Sequence, residues 1–187
     1  MLASASPRRR DLLEQAGIVF EVEVPRFDEA TLRGQPPLAQ ARAAALGKAR
    51  EVANRRPGRW VLGADTVVAI DGHALGKPRD GVEAMGMLKR LSGREHTVIS
   101  AVALVAPNGR VVTGHGRSVV AFSSMGHADI ADYVAAGEPL DKAGAYAIQG
   151  EGGAFVALVS GALDTVIGLP VHVVRRLLRD MGTPGLW

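Results

Sequence analysis

Asp65 stands inside the apolar run Trp60–Ile70 (WVLGADTVVAI), where a carboxylate is costly unless it is paired or bound to a cation. Thr66 follows with a hydroxyl. One reading is a metal ligand or general base at a break in a strand. The other is a buried carboxylate bonded to backbone N–H groups. A second pattern opens the chain. In Ser4-Ala5-Ser6-Pro7-Arg8-Arg9-Arg10 a turn of small residues leads into a helix, and the free N–H groups and dipole of a helix N-terminus attract anions. Arg8, in the first turn, could fork onto a phosphate. The spacing is not that of a Walker A loop, and a capped helix with solvated arginines is the plainer alternative. Asp28-Glu29 is a carboxylate pair in a loop, which suits Mg²⁺ shared with substrate phosphates, or equally a solvated acidic turn. Lys48 lies in an Ala-rich helical stretch, where a surface lysine is the usual reading. Lys77 precedes Pro78, which restricts it to extended backbone, so its side chain can be aimed. The segment Asp141–Gly150 (DKAGAYAIQG) is polar and Gly-punctuated, the kind of loop on which binding residues concentrate, or a plain connector. The five histidines show no metal-ligand spacing and read as core or surface residues.

The elements that must position these groups follow from periodicity and punctuation. Leu2-Ala3 reads as the end of a short strand, and Pro7 starts a helix with Ser6 as N-cap and Gly17 as its stop. Ile18–Val24 alternates apolar and acidic residues, as a half-buried strand does. Leu38–Ala53 is helical. Trp60–Ile70 is a strand interrupted by Asp65-Thr66, and Asp71-Gly72 signals a hairpin. A helix after Asp80 places Val82, Met85, Leu88 and Leu91 on one side. Glu95–Ala106 and Arg110–Phe122 flank Pro107-Asn108-Gly109 as a long hairpin. His127–Ala136 is a short helix, Ala154–Val159 a strand in a Gly-rich stretch, and Pro170–Met181 the terminal helix. Strands and helices alternate first and a hairpin follows, which predicts an α/β fold with a mixed sheet in a single domain over residues 1–187.

Composition excludes several classes. The chain has 187 residues, 47% hydrophobic and 22% charged, enough for a real core. There is no cysteine, hence no disulfide, thiolate nucleophile or zinc thiolate, which fits a reducing compartment. The first residues hold no long apolar stretch, so no secretory leader is expected, and Val98–Ala106 is too short to span a bilayer. The formal charge of +3 is too mild to specify nucleic acid, and the few aromatics are scattered rather than interleaved with basic residues. The expectation is a soluble, cytoplasmic protein that binds neither nucleic acid nor membrane.

Singly these signals are weak; their joint order is specific. LASASPRR at the N-terminus, Asp28-Glu29, Lys48-Ala49, GADTVV from Gly63, KPRD from Lys77, Leu91-Ser92-Gly93, GEPLDKAGAY from Gly137, Ile148-Gln149-Gly150 and Gly168-Leu169-Pro170 resemble the Maf family along nearly the whole chain. The resemblance implies a mixed, twisted sheet flanked by helices, with two lobes around a central cleft, as in the Maf and inosine triphosphatase superfamily, usually dimeric. It implies hydrolysis of nucleoside triphosphates between the α and β phosphates with Mg²⁺ or Mn²⁺. Asp65 matches the family's catalytic acid–base position. Arg8, Thr66 and Gln149 match positions linked to substrate choice, and Glu29, Lys48 and Lys77 match polar cleft positions. Ser4 joins the substrate-binding set, and Glu29 with Asp65 the metal-binding one.

The stretch DKAGAYAIQG looks like the branch acting on dTTP and UTP, whereas the branch acting on 7-methyl-GTP carries a Glu near Gln149. A uracil or thymine edge offers an N3–H donor beside carbonyl acceptors, which an amide can match; a cationic methylated guanine favours a carboxylate. Maf proteins are also tied to septum formation, so a nucleotide-sensing regulator is a second reading of the same resemblance. The departures are modest: Ser118–Met125 keeps only Phe122 of the usual pattern, and Asp164 stands where Asn is more usual.

Overall fold

The apolar alternation resolves into a mixed sheet in the computed structural model, which describes residues 1–183. β1 (Leu2–Ala3) pairs in parallel with β2 (Val61–Ile70). β2 is antiparallel to the short β3 (His73–Leu75) and to the long β4 (Glu95–Val105). β5 (Val111–Phe122) and β6 (Val156–Ser160) continue the sheet antiparallel, giving the order β1-β2-β4-β5-β6 with β3 attached to β2. One face of the sheet is covered by α2 (Pro37–Arg55), whose Ala41, Ala45, Ala49 and Val52 pack on Val61, Val67, Ile99 and Ala101. The other face is shared. Near β1 it carries α1 (Pro7–Gln15) and α6 (Val171–Asp180), packed on Leu62, Ala64, Val102 and Leu104. At the far end it carries α3 (Gly81–Leu91) and α4 (His127–Ala135), packed on Val68, Ile70, Val98 and Val120. The short α5 (Leu163–Ile167) lies between β6 and α6.

This arrangement leaves a notch. β1 pairs with Leu62 and Gly63, and β3 with Val68 through Ile70, so among the described residues no strand flanks the edge of β2 between them. Asp65 and Thr66 sit in that gap. Their side chains leave opposite faces because a strand alternates: Asp65 faces α2 and Thr66 faces α1. Gly63 sets the height of α2 above β2. A Cβ there would lie 2.3 Å from the Ala45 carbonyl oxygen and 2.8 Å from the Ala49 nitrogen, so only glycine allows this approach, and alanines on the facing helix extend it.

Several expectations need correction. β2 is not interrupted at Asp65-Thr66: its ladder with β4 runs unbroken from Val61 to Ala69. The break lies in the hydrophobic pattern, not in the backbone. Ile18–Val24 is not a strand. β1 is two residues long, so it supports only one bridge, Leu2 with Val22. The acidic residues of this segment instead meet the arginines ending α2 and beyond it, Glu23 with Arg55 and Arg56 and Glu21 with Arg59, while Val19 stands 92% exposed. On α3 the buried stripe is Ala84, Met87, Leu88 and Leu91, and Val82 is exposed. Asp80 caps the helix by accepting from the Glu83 N–H, and Val82 sits in the first turn before the helix reaches the core. Ser6 occupies the N-cap of α1 without a side-chain cap. The last strand begins at Val156 rather than Ala154, because Glu151–Phe155 forms a 3₁₀ turn. The hairpin at Asp71-Gly72 is present, with both φ values positive as a type I′ turn requires. Asp164 accepts from the Val171 N–H at 2.9 Å, placing its charge at the N-terminus of α6.

His96 is a core histidine, 2% exposed, with Nε2 on the Tyr146 hydroxyl at 2.8 Å and its ring edge-on to Phe122. Burial lowers its pKa to about 4. The imidazole therefore stays neutral in the folded protein while the unfolded chain takes up a proton below about pH 6.5. Stability from this group is complete above that pH and is lost as pH falls toward 4, by up to roughly 3 kcal/mol. Denaturant unfolding of wild type and His96→Gln across this window checks it: the difference between their stabilities narrows on acidification, and a constant difference would exclude titration of His96.

Candidate active site

The notch on β2 opens into a cavity of about 580 Å³. Its floor is Asp65, Thr66, Val67 and Val68. One wall is the Ser4–Arg9 turn and helix start; the other comprises Gly76-Lys77 and the Asp141–Ala143 and Tyr146–Ile148 segments. Arg8, Arg9, Lys48, Lys77 and Lys142 line it against Glu29, Asp65 and Asp141, so the cavity favours an anion. Val68, Leu75, Val98, Tyr146, Ile148 and Val166 supply an apolar portion of the lining.

At the centre is Lys48, 7% exposed, whose ammonium is 2.7 Å from the Asp65 carboxylate and 2.6 Å from that of Glu29. Lys48 reaches Asp65 because Gly63 lets α2 sit low. Glu29 reaches Lys48 because its loop is packed against the same helix: a Cβ at Gly47 would lie 2.2 Å from the Phe27 ring, so that ring fills the space where a side chain would stand. Asp28, the other half of the acidic pair, turns away and caps the Glu29–Leu32 3₁₀ turn through the Ala30 N–H.

The two carboxylates are driven in opposite directions. Burial pushes the Asp65 carboxyl above its usual range, against the opposing pull of Lys48 and Arg9. For Glu29 burial also acts upward, but Lys48, Lys77 and Arg9 together outweigh it and hold the group below the usual range. One carboxyl ready to exchange a proton beside one held ionised is a recurrent arrangement in acid–base sites.

The opening turn is built around Ser4 and Arg9. Ser4 Oγ accepts from the Ser6 N–H at 3.1 Å and from Arg9 at 3.2 Å. Arg9 also donates to the Gly168 carbonyl at 2.9 Å and to Thr66 Oγ1 at 3.2 Å. Thr66 Oγ1 is 2.7 Å from Ser100 Oγ, which donates to the Thr165 carbonyl. This chain pins the start of α1 to the strand floor. Arg8 is different: its Nε is buried at the cavity wall and has no hydrogen-bond partner among the described residues.

The structure thus brings Ser4, Arg8, Glu29, Lys48, Asp65, Thr66 and Lys77 to one cavity. Gln149 lies outside its lining, exposed, directly after Ile148. Arg9 was not singled out by sequence reasoning, since three consecutive arginines offer no sign of which one turns inward. Asp141 and Lys142, which the sequence marks only as part of a loop, are also cavity residues. Two carboxylates converging on the floor of a cavity that favours an anion fit a divalent cation shared with phosphate. Among the described residues no three His, Asp or Glu side chains form a metal-holding group, so such an ion would complete its shell from phosphate oxygens and water, as Mg²⁺ commonly does.

At the level of fold this is an α/β cleft protein like the Staphylococcus aureus Ham1 protein, with which it shares 13% identity and a TM-score of 0.53 over 96% of this chain and 97% of that one. More narrowly, the chain belongs to the Maf-like protein family, whose family model matches residues 1–181. A protein named dTTP/UTP pyrophosphatase from Symbiobacterium thermophilum is 48% identical over 184 residues, covering 98% of this chain and 94% of the relative. One of the same name from Moorella thermoacetica is 49% identical over 183 residues, covering 97% and 94%.

The opposed shifts give a test that needs no substrate. Lys48 stabilises the ionised form of Asp65, so removing its charge must raise the Asp65 pKa further. In NMR titrations of the Asp65 carboxyl carbon, wild type titrates above the ordinary carboxylate range and Lys48→Met higher still. A lower value in the variant would contradict the pairing.

Proposed function

We propose that the protein hydrolyses dTTP, UTP and modified pyrimidine nucleoside triphosphates between the α and β phosphates, releasing the monophosphate and pyrophosphate. The observation that carries this is the buried Lys48 ammonium held between Asp65 and Glu29 on the floor of a cationic cavity. The names of the relatives supply the substrate class. In this reading Arg8, Lys48, Lys77 and Ser4 bind the triphosphate, and the unpartnered Arg8 Nε gains a phosphate oxygen. Asp65 accepts the proton of the attacking water, burial having raised the affinity of its carboxylate for one. As the water oxygen bonds to the α phosphorus, the bond to the bridging oxygen breaks and pyrophosphate leaves with the electron pair, its charge met by the surrounding cations. Glu29 and Asp65 would hold a Mg²⁺ or Mn²⁺ ion, which would polarise the phosphate and acidify water. Thr66, fixed by Arg9 and Ser100, orders the floor. Gln149, beside the apolar wall, reads the pyrimidine edge. The protein acts as a single cytoplasmic domain in a homodimer that clears non-standard nucleotides, a setting that suits a chain without cysteine.

Asp65→Asn keeps the side-chain volume and loses the proton acceptor. It is expected to fold normally and to lower kcat about 10²–10⁴-fold; turnover within a few-fold of wild type would make Asp65 structural. In ¹⁸O-labelled water the heavy oxygen is expected in the monophosphate, with unlabelled pyrophosphate. A diphosphate product with labelled inorganic phosphate would refute the α–β assignment, and binding of every nucleotide in a panel without turnover would favour the sensing role.

Base reading by Gln149 has its own signature. Gln149→Glu cannot donate to O4, so kcat/KM for UTP and dTTP is expected to fall by about one to two orders of magnitude, with 7-methyl-GTP spared. An equal loss on UTP, dTTP, CTP and 7-methyl-GTP would remove Gln149 from base recognition.

A further inference from the structure

The cavity wall between α4 and β6 is a loop of short 3₁₀ turns, at Glu138–Asp141, Ala143–Ala145 and Glu151–Phe155, with no strand between them. Its internal backbone bonds are local turns, such as Ala145 to Lys142 and Gly150 to Ala147. Its middle is docked: the Gly144 N–H donates to the Gly76 carbonyl at 3.1 Å, and a Cβ at Gly144 would meet Val68 at 2.8 Å. What closes its ends is the Glu138 side chain. One carboxylate oxygen accepts from the Tyr133 hydroxyl at 2.9 Å and the Gly152 N–H at 3.3 Å; the other accepts from the Glu151 N–H at 2.9 Å. The far end of the loop is shaped to receive this carboxylate. A Cβ at Gly150 would lie 2.4 Å from both of its oxygens, and one at Gly152 would lie 2.5 Å from the Tyr133 hydroxyl. The packing is therefore closed to any side chain at either glycine. The groups between the two ends include Lys142, Tyr146, Ala147 and Ile148, all on the cavity wall, and Gln149 just beyond it.

We propose that Glu138 is a positioning residue for nucleotide binding: it ties residues 151 and 152 back to the start of the loop and so holds the wall formed by Lys142 and Tyr146–Ile148, with Gln149, against the cavity. Burial acts to raise the pKa of this carboxyl, but the N–H groups of Glu151 and Gly152 and the Tyr133 hydroxyl hold it below the usual range, so the clamp stays charged at neutral pH. Asp65 and Lys48 stand on β2 and α2, outside the loop. Loosening the clamp therefore costs substrate binding more than the chemical step. This inference rests on the nucleotide-hydrolysing reading above.

The test compares wild type, Glu138→Gln and Tyr133→Phe. Glu138→Gln turns an amide N–H₂ toward a backbone donor, while Tyr133→Phe keeps the carboxylate and both backbone bonds. For Glu138→Gln, KM for UTP is expected to rise about tenfold with kcat changed by less than about threefold. Hydrogen exchange of the residue 147–152 amides, measured without nucleotide, is expected to quicken. Tyr133→Phe should show the same pattern more weakly, and it decides the matter if Glu138→Gln fails to fold. A lowered melting temperature with unchanged KM and unchanged local exchange would overturn the proposal and leave Glu138 a general stabilising residue. If wild type hydrolyses no nucleotide, the proposed function fails, and the exchange measurement still reads the clamp by itself.

Discussion

The contact on which the site depends is the ammonium of Lys48 between two carboxylates. Taking a lysine and an aspartate out of water is expensive, and removing one partner of such a pair commonly costs several kcal/mol, because the other is left buried and charged. The surroundings show how the arrangement is kept. α2 presents alanines, Gly63 presents no side chain, and Phe27 packs in the space beside Gly47, so the three charged groups are delivered from a helix, a strand and a loop that cannot drift apart independently. The ammonium also divides the carboxylates unequally: Glu29, near half exposure, is held ionised, while Asp65, deep in the floor, is pushed toward protonation.

The sheet edge explains why the cavity is where it is. A strand flanked throughout would present Asp65 and Thr66 only to the helices above and below. Here β1 is two residues long and β3 three, and the unflanked stretch of β2 between them opens both faces to one space. Arg9 then reaches across from α1 to Thr66 and Gly168, joining the N-terminal turn to the segment that precedes α6.

Much of this was legible in the sequence, for physical reasons. A carboxylate within an apolar strand must be paired or functional, and Asp65 is accordingly at the centre of the site. The small-residue turn before Pro7, the hairpin glycines and the long β4–β5 hairpin are local signals, and local geometry follows from them. What the sequence hid depends on contacts far along the chain. Arg9 is distinguished from Arg8 and Arg10 by its bonds to Ser4, Thr66 and Gly168, the last two 57 and 159 residues away. The alternation in Ile18–Val24 mimics a strand because its acids pair with arginines at and beyond the end of α2, an interaction with the same period as a ladder. The inward stripe of α3 was displaced because periodicity fixes spacing and leaves phase to the tertiary partner. Gln149 belongs to a loop whose course is set by Glu138, which no periodic pattern announces.

The opposite directions of Asp65 and Thr66 also tie the assembly of the sheet to its chemistry. A slip of β2 by one residue would turn the carboxylate toward Arg9 and the hydroxyl toward Lys48, leaving nearly the same quantity of strand and helix. Such a molecule would look folded by circular dichroism and would lack a working floor. Recovered activity in a refolding experiment therefore counts the molecules in correct register, a property to which secondary-structure content is blind.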